Sequence, residues 1–372
     1  MLVSQGMGRP LVLVNALSLG AGAGGSRSYV SNLLAELARD ARGMEWSLLA
    51  LPGALEGMDA RAVRVVEPRL PRRGRVAWRV LYEEALLPQR ARHFDLLYCL
   101  ADISPPFGST PTVVLMRNLN IYDRRWYDDR RTRMLERLAR WGVPRARRIL
   151  FPSRAAADLI SERIPIPAER VRVVPYGVSL DAFQDLAPVD SRGRYLFLAA
   201  APERHKNVAA LVECLPLVED RHLEVWIAGT SLLDPGHRLE LERRARALGV
   251  GDRVRFLGAV PYRRLLSYYR GAAAFVFPSF IETFGHPLLE AMAAGAPVIA
   301  SDIPAFREIA ADAALFFPPS DPAALAKAVD RTLTDRAGSA RRVALGRARV
   351  AEFSWSRSVD RLCEVLREAV DG

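Results

Sequence analysis

Short apolar runs alternate with helix-length segments twice over along this chain, and no other feature limits its fold as strongly. In the first half the runs are Leu11–Asn15, Trp46–Leu51, Asp95–Leu100, Thr112–Met116, Arg148–Pro152 and Val171–Pro175. The pattern restarts with Tyr195–Ala200, Leu223–Ala228, Val254–Leu257, Ala274–Phe277, Pro297–Ser301 and Ala314–Phe317. The clearest helical interval runs from Ser26 to Arg42, where Tyr29, Leu33, Leu34 and Leu37 recur at spacings of three and four. Strands that are apolar almost throughout and alternate with helices belong to parallel sheets covered on both faces. The two series are separated at Asp185–Arg194, where Pro, Asp, Ser and Gly cluster without periodicity. The expected architecture is α/β, with two doubly wound, Rossmann-like domains over residues 1–185 and 186–355. Ligands of such sheets bind beyond the carboxyl ends of the strands, which points to a cleft between the domains. Residues 356–372 read as a last helix whose face Val359, Leu362, Cys363, Leu366 and Val370 needs a surface to cover, expected on the N-terminal domain.

Composition excludes several classes. Half of the 372 residues are hydrophobic, enough for two cores. No apolar run reaches the roughly 18 residues of a membrane-spanning helix. Leu11–Leu13 has no basic region before it and leads into a glycine loop, so it reads as a first strand and not a signal peptide. Cys99, Cys214 and Cys363 are far apart in mostly apolar surroundings, which fits buried, reduced thiols in a cytoplasmic protein. The net charge is +11 and is almost all arginine, since lysine occurs only at Lys206 and Lys327. It reflects either an arginine-biased genome or attraction to phosphate, whether in anionic donors, an anionic lipid surface or nucleic acid. In the densest stretch, Arg124 to Arg148, arginines mix with Trp126, Tyr127, Leu135, Leu138 and Trp141. Such a basic amphipathic helix either sits peripherally on the inner face of a membrane or packs its apolar side on its own domain, and the second reading is preferred. Nucleic acid is disfavoured, because no aromatic-basic recognition motif occurs beyond this stretch.

Three places carry chemistry. The sharpest is FPSFIETFGHPLLEAMAAGAPVIAS, Phe277 to Ser301. A strand ends at Pro278, a loop carries Glu282, and a helix begins near His286–Pro287 and ends at Gly295, with proline and glycine as punctuation. Glu290 is costly to bury in so apolar a helix unless it meets hydrogen-bond donors at the ligand edge. The amides of Phe284, Gly285 and His286 point out of the helix start, where the dipole favours a phosphate. One place thus offers two carboxylates for sugar or ribose hydroxyls and an amide nest for a diphosphate. The second place runs from Leu198 to Asn207, between a strand and a helix, and holds Lys206, whose compact ammonium suits a phosphate oxygen. The third is the loop Gly20-Ala-Gly22-Ala-Gly24-Gly25-Ser26. Its G-x-G-x-x-G spelling suggests a dinucleotide, but the acid that should close the second strand is missing, since Glu45 begins that strand.

The Glu282–Glu290 pair, spaced E-x7-E inside E-x-F-G-x-P-x-x-E-A-M-A-x-G-x-P-V, resembles the retaining glycosyltransferases of family 4, which have the GT-B fold. The likeness continues through DIPAFREIAADAALFFPPSDPAALAKAV, and more loosely through FPSRAAADLI and VVPYGVSLDAF in the first half. The resemblance implies transfer of a sugar from a nucleoside diphosphate to an acceptor hydroxyl with retention, the donor lying in the C-terminal domain. Glu290 would grip the ribose, Glu282 would contact the transferred sugar, and Lys206 with the amides of Phe284, Gly285 and His286 would hold the diphosphate. Lys206 and Glu282 are the catalytic candidates. The family often has an arginine six residues before the lysine; here that position is Ala200, and Arg204 is the candidate substitute. Gly24, Gly25 and Ser26 would face the donor from the acceptor domain. Where many members carry a histidine after the Thr112–Met116 strand, this chain has Arg117-Asn118, which suits an acceptor hydroxyl or phosphate. A guanidinium cannot serve as a base. With no D-x-D and no histidine cluster, no metal and no cofactor beyond the co-substrate are expected. The acceptor is a glycan, a small molecule or a lipid-linked sugar. A GT-B sugar-nucleotide epimerase and a dinucleotide-dependent oxidoreductase are the alternatives.

Overall fold

The computed structural model describes residues 8–19, 25–68, 75–184, 186–189, 194–231 and 234–372. They form two compact units, Met1–Gly177 with Trp355–Gly372 and Val178–Ser354. The chain passes between them at Gly177–Val178, ahead of the Asp185–Arg194 break. The turn Leu180–Phe183 already belongs to the second unit, where Phe183 is buried and its carbonyl accepts from Arg270 Nη1.

In the first unit, β1 (Leu11–Asn15), β2 (Glu45–Leu49), β3 (Arg64–Val66), β4 (Leu96–Cys99), β5 (Thr112–Leu115), β6 (Arg148–Phe151) and β7 (Val171–Val173) build one sheet. The order is β3-β2-β1-β4-β5-β6-β7, and all pairings are parallel. The order reverses between β1 and β4, which makes the gap beyond their carboxyl ends the topological switch point. β3 is absent from the sequence reading because it has only three residues, lies at the sheet edge, and exposes Arg64 and Val65. Edge strands of this kind carry no apolar run to detect.

The second unit holds β8 (Tyr195–Ala199), β9 (Glu224–Ala228), β10 (Val254–Gly258), β11 (Ala274–Phe277), β12 (Val298–Ser301) and β13 (Ala314–Phe317). Their parallel order, β10-β9-β8-β11-β12-β13, places its switch point between β8 and β11. The central strands are buried on both faces. Aromatic rings fill the core: Tyr195 stacks on Trp226 at 4.0 Å and Phe277 on Phe306 at 4.7 Å.

The last helix, Trp355–Asp371, packs on the helix Gly25–Arg39 and on β4 and β5, all in the first unit. It buries Trp355, Val359, Leu362, Cys363, Val365, Leu366 and Ala369, while Val370 is half-buried. Arg42 Nε meets Asp360 at 3.0 Å, and Arg148 and Arg172 share Glu368 at 3.2 and 2.9 Å. The three cysteines are buried free thiols. In the arginine-rich stretch, the helix Arg130–Gly142 packs through Glu136, Ala139 and Gly142 but leaves Met134 and Trp141 exposed. A close approach at its end admits only glycine: a Cβ on Gly142 would lie 1.9 Å from the Ser104 carbonyl oxygen. With Gly142 turned inward, Trp141, one position back, faces solvent.

Candidate functional site

The second unit's switch point is built by three loops that its folding ties together. After β8 the chain makes a tight turn over Arg204–Lys206 and enters the helix Val208–Cys214 through Asn207. Asn207 sits in the left-handed region at φ 53°, ψ 41°, a conformation asparagine tolerates better than most residues. Its buried Nδ2 donates to the Pro278 carbonyl at 3.0 Å and the Pro319 carbonyl at 2.7 Å. One side chain thereby joins the ends of β8, β11 and β13. The Phe280 N–H adds a bond to the His205 carbonyl at 2.9 Å.

This tie brings Lys206 to the loop carrying Glu282. Lys206 Nζ lies 2.5 Å from Glu282 Oε1, which also accepts from Ser279 Oγ at 3.1 Å. The ammonium stands 5.7 Å from the centre of the Phe277 ring. Both side chains are largely but not wholly buried. Arg204 is not part of this group. Its Nε reaches Asp234 Oδ2 at 2.8 Å and its Nη2 reaches Glu240 Oε2 at 2.9 Å. In a turn of about three residues per revolution, side chains two apart point roughly 240° apart, so Arg204 and Lys206 diverge.

The helix His286–Ala294 starts from Gly285, whose φ of 90° only glycine adopts readily. A Cβ there would lie 2.8 Å from the Phe306 ring, so the helix start also packs too closely for a side chain. Phe284 is buried, with its ring 6.1 Å from that of Phe353. Glu290 is 6 % exposed and meets donors, as a carboxylate in an apolar helix must. Tyr269 donates its hydroxyl to Glu290 Oε2 at 2.8 Å, and His286 Nδ1 stands 3.5 Å from Oε1. Burial first, and then the neighbouring carboxylate, push the Tyr269 phenol far up, so it remains a donor. Tyr262, about half exposed at the start of the same helix, is shifted in the same direction, by partial burial and then by the Glu290 carboxylate. The sequence reading missed both tyrosines. Their only signal is a seven-residue spacing in the helix Tyr262–Gly271, which also suits a core stripe.

In the first unit, Gly24 and the rest of the glycine loop before Gly25 lie outside the described residues. Gly25 and Ser26 open the helix Gly25–Arg39, and a Cβ on Gly25 would meet nothing within 4 Å. Among the described residues, packing therefore does not require glycine there. Arg117 and Asn118 follow β5 and are held by a residue the sequence reading overlooked. The two backbone N–H groups donate to Asp102 Oδ1 at 2.6 and 2.9 Å. Asp102 follows β4 in the left-handed region, at φ 60°, and is buried. The Arg117 charge acts on Asp102, on the buried tyrosines Tyr29 and Tyr98, and on the half-buried Tyr176. Tyr29 and Tyr98 share a hydrogen bond of 2.7 Å.

Burial pushes the Asp102 carboxyl up to about 6 against the pull of the two N–H groups and Arg117. An acid whose folded pKa exceeds its unfolded value takes up protons on folding between the two. Its contribution is therefore best at low pH and is lost as pH rises from about 4 through 6, on the order of 3 kcal/mol in all. Asp102→Asn keeps an acceptor for the loop, and should remove this dependence. Comparing thermal denaturation at about pH 5 and 7.5, the parent should lose more stability than the variant. Asp102→Ala should instead destabilise at both values, by up to about 1–3 kcal/mol, by leaving two part-buried donors without their acceptor. Equal pH slopes in parent and Asp102→Asn would show that the carboxyl titrates normally.

Among the described residues, no group of three or more His, Cys, Asp or Glu side chains gathers to hold a metal, and no helix is long and apolar enough to cross a membrane. A family model described as glycosyl transferases group 1 matches residues 182–349, and one described as glycosyltransferase family 4 matches residues 23–182. Together they span residues 23–349, across parts of both units. The chain belongs to glycosyltransferase family 4.

Relatives of this family 4 member agree. It is 36% identical over 194 residues to a phosphatidyl-myo-inositol mannosyltransferase of Mycobacterium tuberculosis, covering 49% of this chain and 50% of that one. The chain spans about half the length of the curated relatives it matches. Among solved structures, sucrose-phosphate synthase from Thermosynechococcus elongatus superposes with a TM-score of 0.79, covering 97% of this chain and 99% of that one at 21% identity. Anabaena HepE in complex with UDP-glucose superposes at 0.75, covering 97% and 100%, at 16% identity. These likenesses establish the fold as GT-B, with two Rossmann-like parallel-sheet units.

Proposed function

We propose that this family 4 protein transfers a sugar from a nucleoside-diphosphate sugar to an acceptor hydroxyl, with retention of configuration and without a metal ion. The observation that carries the proposal is the meeting of Lys206 and Glu282 at the second unit's switch point, beside the helix that holds Glu290. Open parallel sheets bind their ligands at that point. Lys206 supplies a cation for the diphosphate, and Glu290, fixed by Tyr269, presents a carboxylate oriented for ribose hydroxyls. Glu282, steadied by Ser279, serves the transferred sugar. As the bond to the anomeric carbon breaks, charge grows on the departing diphosphate, where the ammonium stabilises it more than it stabilised the bound donor. The same leaving oxygen takes the acceptor's proton on the face it vacates, so no side chain need act as nucleophile. Arg117 and Asn118, with Gly25 and Ser26, serve the acceptor, and a permanent cation at Arg117 suits one that carries phosphate. HepE, solved with UDP-glucose, and the inositol-lipid mannosyltransferase support the donor and acceptor classes by analogy.

A thermal-shift panel of nucleoside diphosphates and their sugars tests the reading. The matching ligand at a hundred times its dissociation constant should stabilise by about 2.7 kcal/mol. Sugar release or transfer from that donor should persist in EDTA. Loss of turnover in chelator, restored by a divalent ion, would contradict the role given to Lys206. Turnover of the sugar nucleotide to an isomer with no acceptor would make the protein an epimerase.

A further inference from the structure

At the end of the first sheet opposite Arg117, a concavity of about 470 Å³ opens where β5 and β6 begin and just before β7. Arg145, Arg147, Arg148 and Arg170 line it. Gly372 lines it too, beside Arg147 Nη2. Side-chain carboxylates do not balance the four arginines. Arg148 shares Glu368 with Arg172, while Arg145, Arg147 and Arg170 have no side-chain carboxylate partner among the described residues. Carbonyl groups hold two of them in place without neutralising them. Arg145 donates to the Trp141 carbonyl, and Arg170 Nη1 to those of Pro144 and Ala146 at 2.7 and 3.2 Å. Phe107 lines the rim and is 65 % exposed. Its ring meets the exposed Trp141 edge-on at 4.9 Å. Going back along the helix Arg130–Gly142, Arg137 and Met134 continue the exposed face at spacings of four and three. A solvated charged surface would not need two large aromatic rings held together at its edge.

We propose that this surface docks on a membrane bearing anionic lipids. A headgroup phosphate enters the arginine pocket, and Phe107 and Trp141 sink into the interfacial layer. Positive charge complements the lipid phosphates, and aromatic side chains at the rim match the boundary between headgroups and acyl chains. The four residues of β5 span about 13 Å between the pocket and Arg117. A docked chain therefore holds Arg117 away from the bilayer and fits an acceptor that stands off from its lipid.

Vesicle flotation with the full chain tests the proposal. Phosphatidylcholine vesicles with roughly 30% phosphatidylglycerol should carry the protein upward at about 50 mM NaCl, should release it at about 500 mM, and pure phosphatidylcholine should not carry it. At about a fivefold loss per arginine, Arg145→Glu with Arg147→Glu should weaken binding by at least about twentyfold. Arg145→Lys with Arg147→Lys should bind like the parent. Phe107→Ser with Trp141→Ser should weaken binding about tenfold while the salt dependence persists. Should the charge-reversed chain fail to fold, release of the parent by salt decides. The proposal is overturned by failure of the parent to bind phosphatidylglycerol vesicles at low salt. It is equally overturned by unchanged binding in both the charge-reversed and aromatic variants. Displacement from vesicles by millimolar glycerol phosphate would mean a site for free phosphate. Pocket-dependent binding of single-stranded RNA, with vesicle binding unchanged, would mean a nucleic-acid surface.

Discussion

Replacing Lys206 with alanine should lower turnover roughly 100–1000-fold, the usual effect of deleting one donor aimed at developing charge. Lys206 is one of two lysines in the chain, and it is the one the fold carries to the switch point. Asn207 fixes the backbone beside it, so the ammonium is positioned before any ligand arrives. Deleting it also leaves Glu282 facing the diphosphate with no cation between, which adds repulsion to the lost attraction. Lys206→Arg should rescue little, because a planar guanidinium is larger and directs its donors differently from a compact ammonium. Steady-state kinetics with the matching donor decide the point. Turnover within tenfold of the parent in Lys206→Ala would remove this residue from the chemistry.

Removing residues from Ser356 onward should unfold the first unit and leave the second standing. The helix Trp355–Asp371 buries Val359, Leu362, Cys363, Val365, Leu366 and Ala369 within that unit. Burying a Val or Leu side chain contributes about 1.5–3 kcal/mol, so the segment represents a large part of a domain's 5–15 kcal/mol. The milder Leu362→Ala should cost about 2–5 kcal/mol. Hydrogen exchange followed by mass spectrometry reads the two units separately. Protection should fall in β4, β5 and the helix Gly25–Arg39, and hold in β8 and β11. Loss confined to the second unit would contradict the packing seen here.

Both sheets and most of their strands were legible because central parallel strands are buried on two faces and leave unbroken apolar runs. The E-x7-E pair was legible because Glu282 and Glu290 lie on one local loop–helix unit. Features that depend on distant partners were not. Tyr269 reaches Glu290 from another helix, and its sequence neighbours Leu265, Leu266 and Tyr268 look like ordinary core. Asp102 holds the Arg117–Asn118 loop across fifteen residues through backbone N–H groups, a contact that leaves no mark on residue type at 117 or 118. Arg204, the candidate substitute for the arginine that Ala200 replaces, is paired with Asp234 and Glu240, partners that lie 30 and 36 residues away and that local spacing does not show. Gly142 meets Ser104, a contact between separate segments that periodicity along one helix does not show.

The central claim, a nucleoside diphosphate bound at the second unit's switch point, is tested most directly by calorimetric titration. The matching nucleoside diphosphate is titrated into the parent, Lys206→Ala, Glu290→Gln and Arg117→Ala. Lys206→Ala and Glu290→Gln should each weaken binding at least about tenfold, since each loses a charged hydrogen-bond partner worth roughly 1.5–3 kcal/mol. Arg117→Ala should stay within a few-fold of the parent. Unchanged affinity in both second-unit variants, with a large loss in Arg117→Ala, would place the nucleotide on the first unit and contradict the account.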